Sequence, residues 1–123
     1  MGIISEEARI DGRFILKKKM ANFYGFEGHS FMIRGNGELT LTKEGILFRE
    51  ILPKREYFIP IDEIIKVEIK RSHNLKTKLL PVLRIHYKEK GETLIFGVCV
   101  GNNKDSLLWK EKIESLMKNR RLK

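Results

Sequence analysis

The residues from Glu38 to Ile69 constrain this chain most, because apolar side chains recur there at alternate positions between turn formers. Leu39 and Leu41 alternate with Thr40 and Thr42, the period of two that gives a strand one buried and one wet face. Lys43-Glu44-Gly45 interrupts the pattern and Ile46-Leu47-Phe48 resumes it, so a hairpin with Gly45 at positive φ is expected. After the break at Pro53-Lys54-Arg55-Glu56, Tyr57, Ile59 and Ile61 share one parity in a third strand. Pro60 has no N–H for a ladder, which puts the end of that strand at an edge or a corner. Ile65, Val67 and Ile69 then alternate with Lys66, Glu68 and Lys70, predicting a strand with one core face and one charged face.

The order of these phrases resembles the pleckstrin-homology (PH) superfold, and within it the GRAM and bacterial PH-like branch. The match rests on the Leu-Thr strand, the Lys-Glu-Gly turn, the Ile-Leu-Phe strand and the run Ile59-Pro60-Ile61-Asp62-Glu63-Ile64-Ile65-Lys66-Val67. It is close over residues 38–70, and the order of elements agrees as far as the C-terminal helix. The resemblance implies a mainly β fold, a seven-stranded PH-like β-sandwich or partly open barrel capped by one α-helix. It also implies a non-catalytic adaptor, docking on an acidic membrane surface or on a protein. GLUE domains of the same superfold bind ubiquitin as well as lipid, so a ubiquitin-like partner stands beside anionic lipid headgroups. The PH headgroup pattern sets a Lys in the first strand and a basic pair in the second. Lys17, Lys18 and Lys19 match the first part, but no Lys-x-Arg or Arg-x-Arg follows in residues 20–50, so specific phosphoinositide binding is not implied.

At 123 residues the chain suits one domain, 1–123, able to bury about two-thirds of its unfolded surface without disulfides or metals. Its 41% hydrophobic and 33% charged residues fit a soluble globular protein. Glutamine is absent and Lys, Glu and Ile abound, as in proteins of hot environments. No apolar run approaches the roughly 18 residues that span a bilayer. Met1-Gly2-Ile3-Ile4-Ser5-Glu6-Glu7 has neither the basic n-region of a signal peptide nor a myristoylation serine. A cytoplasmic protein is expected, with peripheral membrane attachment open.

Outside the central stretch, residues 1–13 carry few structural signals and are expected to form an arm. Phe14-Ile15-Leu16 begins a strand that leaves through Lys17-Lys18-Lys19, and Ala21 to Gly37 is expected to be a loop of glycines and aromatics. Gly35-Asn36-Gly37 lacks the following helix and Lys-Ser/Thr of a phosphate loop and is expected to turn the chain into the Glu38 strand. Lys70 to Lys78 predicts an exposed loop. Leu83, Ile85 and Tyr87 mark a sixth strand, Lys88-Glu89-Lys90-Gly91 a tight turn, and Thr93 to Val100 a nearly continuous apolar strand that should be central or covered. Asn102 or Asn103, with Asp105, predicts a helix start, and Trp109, Ile113, Leu116 and Met117 form its apolar stripe. Two pairs, Lys110 with Glu114 and Glu114 with Lys118, are placed to meet on its wet side. Residues 118–123 are expected to be a basic tail.

The net charge of +9 is concentrated. Residues 1–65 hold ten basic and ten acidic side chains, whereas residues 66–90 hold eight basic and two acidic ones. The candidate binding residues are those eight: Lys66, Lys70, Arg71, Lys76, Lys78, Arg84, Lys88 and Lys90. Lys17, Lys18 and Lys19 form a secondary cluster. Such a field attracts anionic lipid, acidic protein or nucleic acid, and its bland alternative is a solvated lysine-rich face. Nucleic acid is the second functional reading, but exposed aromatics for stacking bases are missing from 66–90. His29, His73 and His86 lack metal-ligand spacing and are expected at the surface or in loops. Cys99 is expected as a small core residue. No nucleophile motif occurs, and neither a catalytic residue nor a cofactor is expected.

Overall fold

The structure, a computed structural model, describes residues 14–27, 35–51, 54–73 and 76–121. Strand alternation runs through most of them. In chain order they form β1 (Phe14–Phe26), β2 (Gly35–Thr42), β3 (Gly45–Glu50), β4 (Arg55–Pro60), a 3-10 turn (Ile61–Glu63), β5 (Ile64–His73), β6 (Lys76–Glu89), β7 (Glu92–Cys99) and α1 (Asn103–Arg121). The seven strands make one sheet of order β4-β3-β2-β1-β7-β6-β5, and every pair in it is antiparallel. The fold is therefore mainly β with one C-terminal helix, as expected. The sheet stays open, because its outer strands β4 and β5 are not partners.

β1 joins the two halves. Its first part pairs with β2 from Phe14 to Phe23, and its last part pairs with β7 from Asn22 to Phe26. Register slips at Phe14/Leu16, Lys18/Ala21 and Phe23/Gly25 mark bulges, which bend a strand and sharpen its twist. The sheet is strongly curled as a result. β3 and β7 are three strand spacings apart, about 14 Å in a flat sheet. Yet the Phe48 and Phe96 rings lie 5.8 Å apart, with Phe23 between them at 5.1 Å and 4.9 Å. Leu39, Leu41, Ile46, Phe48 and Ile59 of one half thus share a single core with Val67, Leu83, Ile85, Phe96 and Val98 of the other.

The helix completes that core. Asn102 caps it: the Asp105 N–H donates to Asn102 Oδ1 at 2.9 Å, and the Asn102 N–H donates to Asp105 Oδ2 at 3.2 Å, a reciprocal box. Trp109, Ile113 and Met117, spaced four apart, are buried against β5, β6 and the 3-10 turn. Lys110 meets Glu114 at 3.0 Å; among the described residues the second expected pair, with Lys118, does not form. The helix runs on to Arg121, so most of the expected tail is helical. Arg120 pins its end, donating to Lys43 O at 3.1 Å and to Asp62 Oδ2 at 3.4 Å.

Several loop expectations are corrected. Ala21 to Phe26 continues β1, because Phe23 alternates into the core and Gly25, at φ 87°, takes up a register slip. Gly35-Asn36-Gly37 is strand rather than turn, paired with both β1 and β3. At Gly37 an added Cβ would press on Arg49 O and come within 2.8 Å of the Phe48 ring. Gly45 does not have positive φ; its place is steric, since a Cβ would meet Ile59 O and the Phe58 ring. Thr42 Oγ1 ties that hairpin by accepting from the Glu44 and Gly45 N–H groups at 3.2 Å and 3.3 Å. In the expected 70–78 loop, β5 and β6 instead extend as a hairpin, pairing Ser72 with Thr77 and His73 with Lys76. The turn at Lys90-Gly91 is as expected, with φ of 52° and 82°, the paired positive values of a two-residue hairpin turn. The 1–13 arm lies outside the described residues.

Two stability measurements follow. Trp109→Ala should lower the unfolding free energy in a denaturant titration by about 3–5 kcal/mol, as truncating a core aromatic does. Gly45→Ala should destabilise by more than the roughly 0.5–1 kcal/mol that alanine otherwise gains over glycine in a strand, reversing the sign of the propensity effect.

Candidate functional site

The β5–β6 hairpin sorts its side chains by register. Val67 faces Ile85 and Ile69 faces Leu83 on the inner side. Lys66 therefore faces His86, Glu68 faces Arg84, and Lys70 faces Val82 on the outer side. A slip at Ile64/Lys66 lets Ile64 and Val67 both point inward and leaves Ile65 exposed. Lys66, Lys70 and Arg71 on β5 and Lys88 and Lys90 at the far end of β6 are exposed, so the outer face has a cationic rim. Leu80 is exposed too and shares the parity of Val82 and Arg84. The backbones of Lys76 and Lys78 lie on β6, but their side chains fall outside the described residues.

Arg84 departs from the sequence reading. It is buried, 6% exposed, in the middle of the face rather than on its rim. Across the sheet its row reads Gly25, Gly97, Arg84, Glu68. With no side chain at Gly97, Arg84 Nη1 crosses β7 to donate to Glu27 Oε1 at 3.0 Å, while Nε donates to Glu68 Oε2 at 3.0 Å. Glu27 is held there by extending the β1–β7 ladder, its N–H donating to Ile95 O at 2.9 Å. Burial alone would lower the guanidinium pKa, and the bonds to Glu27 and Glu68 raise it instead.

His86 is likewise not a surface or loop histidine. Its side chain is 14% exposed on β6, and Nε2 lies 2.6 Å from Glu68 Oε2. Lys70 Nζ approaches the other oxygen at 3.8 Å. Burial pushes the Glu68 carboxyl up, but hydrogen bonds from His86 and Arg84 and the charges of His86 and Lys70 outweigh it, holding the pKa at about 2. His73 lies on β5 with its side chain outside the described residues, and all of His29 does.

Lys17 to Lys19 do not join this face. They lie on the part of β1 that pairs with β2, where Lys17 Nζ sits 3.9 Å from Glu38 and 4.6 Å from the Phe14 ring centre. A cleft at the end of β3 and β4 carries both signs and holds two ion pairs, Arg49 with Glu56 at 2.9 Å and Arg55 with the buried Glu50 at 2.9 Å. Cys99 is buried, its thiol donating to Gly101 O at 3.5 Å. Among the described residues no group of three or more His, Cys, Asp or Glu side chains converges as metal ligands would. None of the helices among them is long and apolar enough to cross a membrane.

No family model matches the chain, and no curated protein matches its sequence. Among solved structures it is similar to the crystal structure of the C-terminal domain of an unknown protein from Leishmania infantum. The TM-score is 0.56 at 13% identity, over 94% of this chain and 96% of that one, a likeness of fold alone.

The depressed Glu68 carboxyl makes a pH prediction. Its pKa is lower folded than unfolded, so its contribution to stability is present above the ordinary value of 4.5 and is lost as pH falls towards about 2. Glu68→Gln should therefore lose less stability than the wild type between those limits, measured by denaturant unfolding across pH.

Proposed function

We propose that the chain is a non-catalytic docking module of the PH-like kind, whose outer β5–β6 face attaches to an anionic membrane surface. The carrying observation is the exposed cationic rim of Lys66, Lys70, Lys88 and Lys90 around a centre whose arginine is already neutralised. Lysines on such a rim hold a diffuse negative surface as point charges, each worth about 1 kcal/mol near anionic lipid. Two observations favour lipid over nucleic acid. Exposed Ile65 and Leu80 add apolar contact beside the lysines. Tyr87, the aromatic of β6, is buried in the core, so it offers no ring on which bases would stack. Supporting the PH-like reading, two antiparallel meanders are joined through β1, with a C-terminal helix packed on the second.

Co-sedimentation with vesicles tests this. Anionic vesicles should pellet the protein at low salt, neutral vesicles should not, and salt should release it, because the screening length falls from about 10 Å at 0.1 M to about 3 Å at 1 M. Replacing Lys66, Lys70, Lys88 and Lys90 together by Glu should abolish pelleting, while each single Lys→Ala change should weaken it about fivefold. Pelleting that survives the fourfold reversal contradicts the proposal, as does an absence of pelleting under every condition.

A further inference from the structure

We propose that the free edge of β5 takes an acidic extended peptide as an added strand of the sheet. β5 is an outer strand of an open sheet, so alternate residues along it point both backbone N–H and C=O away from β6. Among the described residues, no backbone bond outside the ladders involves Lys66 to Lys70. The register slips at Ile64/Lys66 and Lys70/Ser72 lie on either side of these residues, which pair one to one with His86 to Val82. The edge is therefore regular over a length of about 17 Å at strand rise, enough to template a short strand. β4, the other outer strand, is a poorer template. It is six residues long, ends in Pro60, which has no N–H to donate, and holds Glu56 and Arg55 in ion pairs with Arg49 and Glu50.

Side chains at the edge specify the occupant. Lys66 and Lys70 are exposed on the outer face with Glu68 between them, Lys70 loosely paired with it at 3.8 Å. Val67 and Ile69 point to the inner face, Val67 buried and Ile69 half-buried against the core. Directly opposite residues of neighbouring strands have Cβ atoms about 4.5–5.5 Å apart and interact as pairs. An added strand thus gains by placing carboxylates opposite Lys66 and Lys70, an uncharged polar residue opposite Glu68, and apolar residues opposite Val67 and Ile69. The partner that fits is an extended segment reading acidic, apolar, polar, apolar, acidic. Its backbone supplies affinity and its alternate side chains supply selectivity. A second copy of this chain, itself at a net charge of +9, meets long-range repulsion instead. The inference goes beyond membrane docking and does not rest on it.

The test uses the whole chain, without lipid, and the capped peptide acetyl-Ser-Glu-Val-Thr-Val-Glu-Ser-amide, whose core reads the same in parallel and antiparallel register. In a backbone-amide NMR titration the largest shifts should fall on alternate residues between Lys66 and Lys70. Two N-methylated versions, one at both Val and one at Thr and both Glu, separate strand addition from charge, since only every second peptide residue bonds the edge. One should bind at least about tenfold more weakly than the parent and the other within about twofold of it. Lys66→Glu combined with Lys70→Glu should weaken the parent peptide about tenfold and should bind the counterpart with Lys in place of Glu, a rescue that an unfolded variant would not show. Methylated peptides that both bind like the parent overturn the inference, because charge alone then holds the peptide. Shifts confined to residues outside β5 overturn it as well, and so does a dimer of the chain alone joined through Lys66 to Lys70. No binding of the parent peptide at millimolar concentration overturns it while leaving membrane docking intact.

Discussion

The fold depends on β1 serving two partners in turn. A strand that paired with one neighbour throughout would leave two meanders, β2–β4 and β5–β7, each with an uncovered apolar face. By sliding from β2 to β7 across its bulges, β1 turns the two inner faces onto one core. Phe23 sits where the two pairings overlap, within 5.6 Å of the ring centres of Phe26, Phe48, Tyr57 and Phe96. Such ring pairs add about 0.5–1.5 kcal/mol each beyond their buried area. The bend of the sheet and the packing of its centre therefore reinforce each other. The helix covers the part of the inner face that β5, β6 and the 3-10 turn leave open.

That arrangement also decides what the outside offers. With Val67, Ile69, Leu83 and Ile85 committed to the inner face, alternation sends Lys66, Glu68, Lys70, Arg84, His86 and Lys88 outward. Outward is not the same as exposed. Arg84 and His86 lie on β6, one strand in from the edge, where burying the Arg84 guanidinium requires partners, and Glu27 and Glu68 supply them. The lysines, with longer and more flexible stems, occupy the rim. The face thus has a paired arginine at its centre and lysines at its edge, the arrangement on which the proposed docking to a broad anionic surface rests.

Much of this was legible in the sequence. Four strands follow from period-two alternation, β1, β3 and β7 from short apolar runs, the helix from its period-3.6 stripe, and a cap at Asn102 or Asn103 with Asp105 from residue type. The glycine-containing stretches misled, because Gly25, Gly35, Gly37 and Gly45 are strand residues placed by register slips and by neighbouring backbone and rings. Composition alone does not distinguish such glycines from turn formers. The basic character of 66–90 was legible, but Arg84's partner Glu27 is 57 residues away and is brought in by the β1–β7 pairing. Glu68 was nearer to hand. Once Val67 is placed opposite Ile85, it must lie opposite Arg84, and that register would have removed Arg84 from the exposed set.

The central claim is that the outer β5–β6 face is where this module meets an anionic surface. Backbone-amide NMR with phosphatidylglycerol nanodiscs tests it residue by residue. Shifts and line broadening should concentrate at Lys66 to Arg71 and around the Lys88–Thr93 turn. Perturbation confined to β2, β3 and β4 would place the contact on the other half of the sheet and contradict the account.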